Sequence, residues 1–308
     1  MKSKEKNFVS AVVYVNNNEK QIVEFHKMIT NVLEENFEHS EIIYVNDSSK
    51  DESTKKIKES VSPIQKSTSV SILNMSYFHG LEISMNAGLD IAIGDFVFEF
   101  DSVCIDYNPE EIMNCYRHSL EGYDIVSAAP NKKQRFTSSF FYWIIYKFTK
   151  TQMVTERFRI LSRRVINRIS SMNKTVPYRK IIYSNCGLKK DTITYKVQGT
   201  ENSNDSRKYR LNLATDSLIL FTNAGYQFSA IMTILMMFIV FFMAVYSLVI
   251  YCTGHPVEGW TTTILFMSVA FFGMFSILTI IVKYLQLLVD LVFKRKRYSF
   301  ESIEKITK

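Results

Sequence analysis

Glu41-Ile-Ile-Tyr-Val-Asn-Asp-Ser-Ser-Lys-Asp-Glu-Ser53 passes from an apolar run straight into an acidic loop. Its first five residues form a β-type run with apolar and aromatic side chains, and the run breaks at once into a polar loop carrying Asp47 and Asp51. An open α/β sheet binds its ligands outside the carboxyl ends of its strands, so carboxylates at that point suit a binding rim. A solvated loop would carry the same residues, and spacing alone leaves both readings open.

On either side of this stretch, short β-type runs alternate with helical stretches. Strands are expected at Phe8–Val15, Glu41–Val45, Val70–Leu73, Phe96–Phe100 and Asp124–Ala128, with helices at Glu19–Glu35, Gly80–Ile93 and Pro109–Leu120. This alternation predicts a mostly parallel sheet wrapped by helices. Asp101, directly after the fourth expected strand, joins Asp47 and Asp51 at the same rim. The lysines before Phe8–Val15 give that run a superficial signal-peptide look, but it is short and ends in three asparagines, so it is read as a strand.

The chain has 308 residues and a net charge of +7, with a pI of about 9.0. That balance favours anionic partners such as phosphates or lipid head groups. Nucleic acid is set aside, because no helix-turn-helix, zinc-finger or RNA-binding signature accompanies the charge. Cys104, Cys115, Cys186 and Cys252 are scattered without C-x-x-C spacing, which suits a reducing compartment and buried thiols.

From Leu211 to Val282 there is no Lys or Arg. Within it, Phe228–Tyr251 and Thr262–Val282 carry no charged side chain, and each is long enough to cross roughly 30 Å of hydrocarbon. They are expected to form a transmembrane hairpin joined by a short loop that contains Trp260; a buried helical hairpin is the competing arrangement. The basic cluster Lys294-Arg-Lys-Arg297 follows, so the positive-inside rule expects both termini in the cytoplasm and the loop outside. The expected organisation is a cytoplasmic domain at 1–210, a juxtamembrane amphipathic helix at 211–227, the hairpin at 228–282 and a juxtamembrane tail at 283–308. Small residues in the spans would allow hairpins to pack as a homo-oligomer.

The opening stretch resembles the E-x-x-x-V-D-D-G-S-x-D-x-T segment of family 2 glycosyltransferases. Further matches follow in order. Val12-Val-Tyr-Val-Asn-Asn-Asn-Glu19 is similar to V-V-P-V-Y-N-E-E, and Gly80 with Ala87-Gly-Leu89 and Gly94-Asp95 is similar to the helix leading into the family's D-x-D strand. Phe158-Arg-Ile-Leu-Ser-Arg163 resembles the F-R-L-L-x-R segment of the polyprenyl-phosphate hexose transferases, as does the Gly259-Trp-Thr261 turn. The likeness extends to bactoprenol glucosyltransferases and, more distantly, to dolichyl-phosphate mannose synthases.

The resemblance implies an α/β, doubly wound, mostly parallel sheet of the GT-A nucleotide-sugar type, and inverting transfer of a hexose from a nucleotide diphosphate, with a lean to uridine, to a polyprenyl phosphate in the inner membrane. It implies nucleotide contacts from Asn17, Glu19, Asp47, Asp51, Gly80 and Asp101. Asp101, Arg159 and Lys208 are the implied catalytic groups, and Arg135, Ser138, Arg159 and Arg163 the implied contacts to the acceptor phosphate. The family's D-x-D-x-Q is Asp101-Ser-Val-Cys-Ile105 here, so Val103 and Ile105 stand where metal ligands are usual. Mg or Mn would then rest on Asp101 and, at best, Asp106. A catalytically silent membrane binding or scaffold subunit is the rival reading. A processive synthase is disfavoured, since neither tryptophan completes a Q-x-x-R-W motif.

Overall fold

The computed structural model describes residues 3–61, 67–131, 156–171, 179–198 and 298–307, with isolated helical positions between 231 and 288. By contact the chain divides into two compact units, one of Met1–Tyr146, Lys150–Leu213 and Lys296–Lys308, the other of Lys147–Thr149 and Ala214–Arg295.

The first unit is built on β1 (Val9–Val15), α1 (Ile22–Asn36), β2 (Ser40–Asn46), α2 (Ser53–Ser60), β3 (Thr68–Met75), α3 (Leu81–Ile91), β4 (Phe96–Phe100), α4 (Glu110–Leu120) and β5 (Ile125–Pro130). These are followed by β6 (Phe158–Ser162), α5 (Arg163–Ser171), α6 (Arg179–Asn185), β7 (Lys190–Tyr195) and β8 (Phe300–Lys305). The eight strands among the described residues form one sheet in the order β7-β5-β6-β4-β1-β2-β3-β8.

The centre is parallel, as expected: β1 pairs in parallel with β2 and β4, and β2 with β3. The sheet as a whole is mixed. β6 lies antiparallel between β4 and β5, and β8 runs antiparallel along β3. The cause at β6 is topological. β5 ends and β6 begins at the same rim, Phe158 pairing with Phe100 and Ala128, so the returning chain has to run backwards. The stretch expected as a juxtamembrane tail thus contributes an edge strand to the domain.

Each central strand is buried on both faces, which is why it reads as a near-continuous apolar run. Along β1, Ala11 and Val13 enter a layer with Phe25, Ile29 and Leu33 of α1 and Ile112 and Tyr116 of α4. Val12 points the other way, toward Met85 and Ala87 of α3 and Val165 of α5. Fully burying each such aliphatic or aromatic side chain contributes about 1.5–3 kcal/mol. Gly88 shows how tightly α3 sits: a Cβ there would lie 2.5 Å from Val12 Cγ1 and 2.6 Å from Val45 Cγ2. The Ala-Gly-Leu pattern is therefore a packing requirement of this helix on β1 and β2.

In the second unit the described helical positions include two sets of exposed apolar side chains. Ile231, Leu235, Phe238 and Phe242 form one set; Met267, Phe271, Met274, Leu278, Ile281, Leu285 and Leu288 form the other. Their spacings of three and four place each set on one helical face. Among the described residues no helix is long and apolar enough to cross a membrane. Most of Phe228–Tyr251, nearly half of Thr262–Val282 and all of 211–227 lie outside the described residues.

One surface ion cluster ties α4 to the edge strand β7. His118 Nε2 is 2.7 Å from Asp191, and its Nδ1 is 2.9 Å from Glu121. The hydrogen bond to Asp191 leads in raising the His118 pKa, with the Glu121 charge assisting against slight burial. The same bond leads in holding the Asp191 carboxyl below its usual range. The raised imidazole contributes stability that is complete below its ordinary 6.5 and lost as pH rises through its folded value. The depressed carboxyl contributes stability that is complete above its ordinary 3.8 and lost as pH falls through its folded value. His118→Gln should therefore destabilise the protein most between pH 3.8 and 6.5, with the difference from wild type fading above neutrality. Melting temperatures of both proteins across pH 4 to 9 test this, and a pH-independent difference would refute the assignment.

Candidate active site

Strand order reverses between β1 and β4, so the loops after these two strands flank a topological switch point. The loop after β1 holds Asn17 and Glu19, and the end of β4 holds Asp101. Asp47, at the end of β2, lies two strands away from Asp101, or about 10 Å at ordinary strand spacing.

Asp47 is fully buried and its carboxylate is engaged by three donors. Oδ1 accepts from the His79 amide at 2.8 Å, and Oδ2 accepts from the Gly80 amide at 2.8 Å and the Tyr14 hydroxyl at 2.9 Å. It clamps the loop after β3 to the ends of β1 and β2. Gly80 takes φ 86° at the entry to α3, a conformation that favours glycine.

Asp51 is a loop anchor of the same kind. Its Oδ2 accepts from the Glu19 amide and its Oδ1 from the Ser53 amide and hydroxyl. Although burial opposes it, these bonds hold the Asp51 carboxyl below the usual carboxylate range. Asn17, at φ 55°, accepts from the Lys50 amide through Oδ1 and donates its own main-chain N–H to the Ser49 hydroxyl oxygen. Asn17, Glu19, Asp47 and Asp51 are thus brought together, as one interlocked pair of loops.

Asp101 stands in a buried ion cluster. Arg159 of β6 donates Nη1 to Glu99 and Nη2 to Asp101, both at 2.8 Å, and Nε to Glu156 at 3.0 Å. Arg179, at the start of α6, donates its amide and Nε to Glu82, each at 2.9 Å, and Nη2 to Asp101 at 2.7 Å. Its Nη1 and the Tyr183 hydroxyl both reach Glu99. Burial alone would raise the Asp101 pKa, but the charges of Arg159 and Arg179, with Lys180 beyond them, hold it well below the usual carboxylate range. The result is a fixed anion, 14% exposed, at the switch point.

Several expected roles change in this light. Arg159 has no exposed side-chain surface and three carboxylate partners, so it positions Asp101 rather than gripping a phosphate. Arg163 lies at the opposite rim, where it donates to the Gly94 carbonyl before β4 begins, and is not brought together with Asp101. Asp106 is 2% exposed and clasped by the Arg157 guanidinium and the Tyr195 hydroxyl. Arg135, Ser138 and Lys208 lie outside the described residues. Arg179 was not foreseen: its partners Glu82, Glu99 and Asp101 are 97, 80 and 78 residues away along the chain, and no local pattern marks it.

These residues do not fit a tightly held divalent ion. Such an ion takes about six oxygen ligands. Val103 is 1% exposed within the core, Ile105 packs against it, and Asp106 is already paired. Each Asp101 oxygen meets a guanidinium, so an approaching cation would face two fixed positive charges.

The sequence model described as glycosyl transferase family 2 matches residues 10–163. An uncharacterised glycosyltransferase of Bacillus subtilis, YkcC, is 26% identical over 83% of this chain and 81% of its own length. A bactoprenol glucosyl transferase of Shigella phage SfV is 26% identical over 86% of this chain and 88% of its own. Among solved structures, the mannosyltransferase PcManGT from Pyrobaculum calidifontis, in complex with GDP-Man and Mn2+, superposes with a TM-score of 0.51 at 14% identity. That likeness covers 70% of this chain and 63% of the other, and it supports the fold.

Removing one member of a buried ion cluster strands its partners' charge, at a cost of about 3–5 kcal/mol. Arg179→Met should lower the unfolding free energy by about that amount. Equilibrium unfolding of the variant checks it, and a loss below about 1 kcal/mol, as for an exposed pair, would mean that water reaches the cluster.

Proposed function

The chain belongs to glycosyl transferase family 2, and from that premise we propose that it moves a hexosyl group from a nucleotide diphosphate sugar, of uridine type, to a polyprenyl phosphate at the inner face of the cytoplasmic membrane. The observation that carries this reading is the Asp101 carboxylate, held ionised by two guanidinium groups at the switch point of the sheet. An ionised carboxylate there is an acceptor for ribose hydroxyls, and the interlocked loops after β1 and β2 supply the far wall for the base.

The acceptor is supported by relatives named for it: the bactoprenol glucosyl transferase, and an undecaprenyl-phosphate 4-deoxy-4-formamido-L-arabinose transferase of Shewanella sediminis, 25% identical over 70% of this chain. In the proposed reaction an acceptor phosphate oxygen attacks the anomeric carbon as the bond to the nucleotide diphosphate breaks, with inversion. A phosphate monoester is already anionic near neutral pH, so the site needs to position it more than to deprotonate it. The charge that develops on the departing diphosphate calls for fixed positive groups. Lys180, next to Arg179, contributes such a field at Asp101. We assign Arg135, Ser138 and Lys208 to the phosphates on the strength of the sequence.

A membrane setting is supported by the two charge-free stretches and by the exposed apolar faces described above. The pairing of β8 with β3 adds a topological argument. β8 follows the second unit in sequence and yet belongs to the same sheet as β1. Any crossing of a membrane must therefore be made an even number of times, as a two-span hairpin does.

The buried Val103 favours a second reading, a silent relative that keeps the fold as a membrane binding subunit. Transfer assays separate the two readings. If Asp101 works with arginines instead of a metal ion, purified protein in lipid should form lipid-linked sugar from a panel of nucleotide sugars, losing less than about half its rate with chelator. Complete loss restored by micromolar Mn or Mg would overturn the metal-poor mechanism, and no product under any donor or metal would favour the silent subunit. Topology has its own test: a cysteine replacing Glu258 should react with an impermeant thiol reagent from outside intact cells, whereas reaction only from the inside would refute the hairpin.

A further inference from the structure

On the reading of Asp47 and Asp101 as walls of a nucleotide site, we infer that His79 is a positioning residue of that site and that the C-terminal strand holds it in place. The main-chain N–H of His79 donates to Asp47 Oδ1 at 2.8 Å, and the next amide, Gly80, donates to Oδ2. The His79 ring faces the other way. Its Nδ1 is 2.6 Å from the Tyr77 carbonyl oxygen, which can only accept, so Nδ1 carries the proton. Nε2 is then a bare lone pair, and it accepts the main-chain N–H of Ser299 at 3.2 Å. One residue thus joins Asp47 on the rim to the segment entering β8.

Neighbouring bonds make this attachment a seam. The Ser76 amide and hydroxyl both donate to the Ser299 carbonyl, at 3.0 and 2.6 Å. Tyr298 donates its hydroxyl to Asp90 of α3 at 2.6 Å. The register of β3 against β8 slips between Asn74 and Met75, just where the seam begins. Between its two anchors the loop presents Tyr77 and Phe78, 61% and 56% exposed, on the rim beside Asp47. Tyr77 is stacked on the His79 ring with centroids 3.9 Å apart, which gives it one preset orientation. A flat aromatic surface held next to a polar, amide-lined clamp suits the base of a nucleoside diphosphate.

The strand that braces this loop starts at Phe300, five residues after Arg295, where the second unit ends. Donor binding and the seating of β8 are therefore linked, and by thermodynamic reciprocity each must favour the other.

Calorimetry on the full chain, with UDP and GDP as probes, tests the inference. His79→Leu should weaken nucleoside diphosphate binding at least tenfold, through loss of the bond to Ser299, while His79→Gln, which keeps an acceptor able to reach that amide, should recover most of it. Ser299→Pro removes the donor from the other side and should weaken binding comparably. The double variant His79→Leu with Ser299→Pro should be no weaker than the poorer single variant, since both remove one bond. In transfer assays the loss should appear in the KM for donor with kcat held. Wild-type affinity in His79→Leu, or equal loss in His79→Gln and His79→Leu, would overturn the role of His79 while leaving the donor site standing. Failure of the wild-type protein to bind either nucleotide would overturn the donor-site reading, and this inference with it.

Discussion

The contact between two guanidinium groups and the carboxylates of Glu99 and Asp101 is the constraint around which the rim is organised. Ions of this kind are costly to desolvate, and in the interior they persist only when geometry and hydrogen bonding compensate. Here Arg159 comes from β6, Arg179 from α6, Glu82 from α3, and Glu99 with Asp101 from β4. Four elements, drawn from two stretches of chain remote in sequence, must therefore be seated together before these charges are satisfied. An apolar cluster could repack after a small shift; a set of directional charge pairs cannot, so it fixes where α6 and β6 stand relative to β4.

That constraint also explains the division of labour at the rim. Asp47 and Asp51 spend their oxygens on main-chain amides and hydroxyls, and so shape loops. Asp101 is different. Its partners are cations, and part of its surface faces outward. Carboxylates that look alike in sequence thus do different work according to whether the donors around them are neutral dipoles or full charges.

The centre of the sheet was legible because doubly buried strands must be apolar throughout, and Gly88 of α3 because close approach leaves no room for Cβ. The acidic rim was legible too, since loops after parallel strands collect binding groups. Long-range pairing was not. Arg159 reads as a phosphate ligand until Glu99, Asp101 and Glu156 surround it, and Arg163, four residues on, reads the same although β6 carries it to the other rim. Asp106 looked available for a metal ion because nothing local announces Arg157 and Tyr195 as its partners. β8 was illegible for another reason. Edge strands tend to be short and charged as a guard against unwanted pairing, and Phe300-Glu-Ser-Ile-Glu-Lys305 therefore reads as a polar tail.

The position of β8 bears on how the chain is made. Synthesis runs from the N-terminus, so β1 to β7 emerge well before the last strand, and until residues 300–305 leave the ribosome β3 has an open edge. An open edge is a template for pairing with a foreign strand. The nascent domain is consequently most exposed to misassembly while the apolar stretch that follows β7 is still being translated. β8 acts as a closing piece, so a product truncated before residue 300 keeps the unguarded edge of β3.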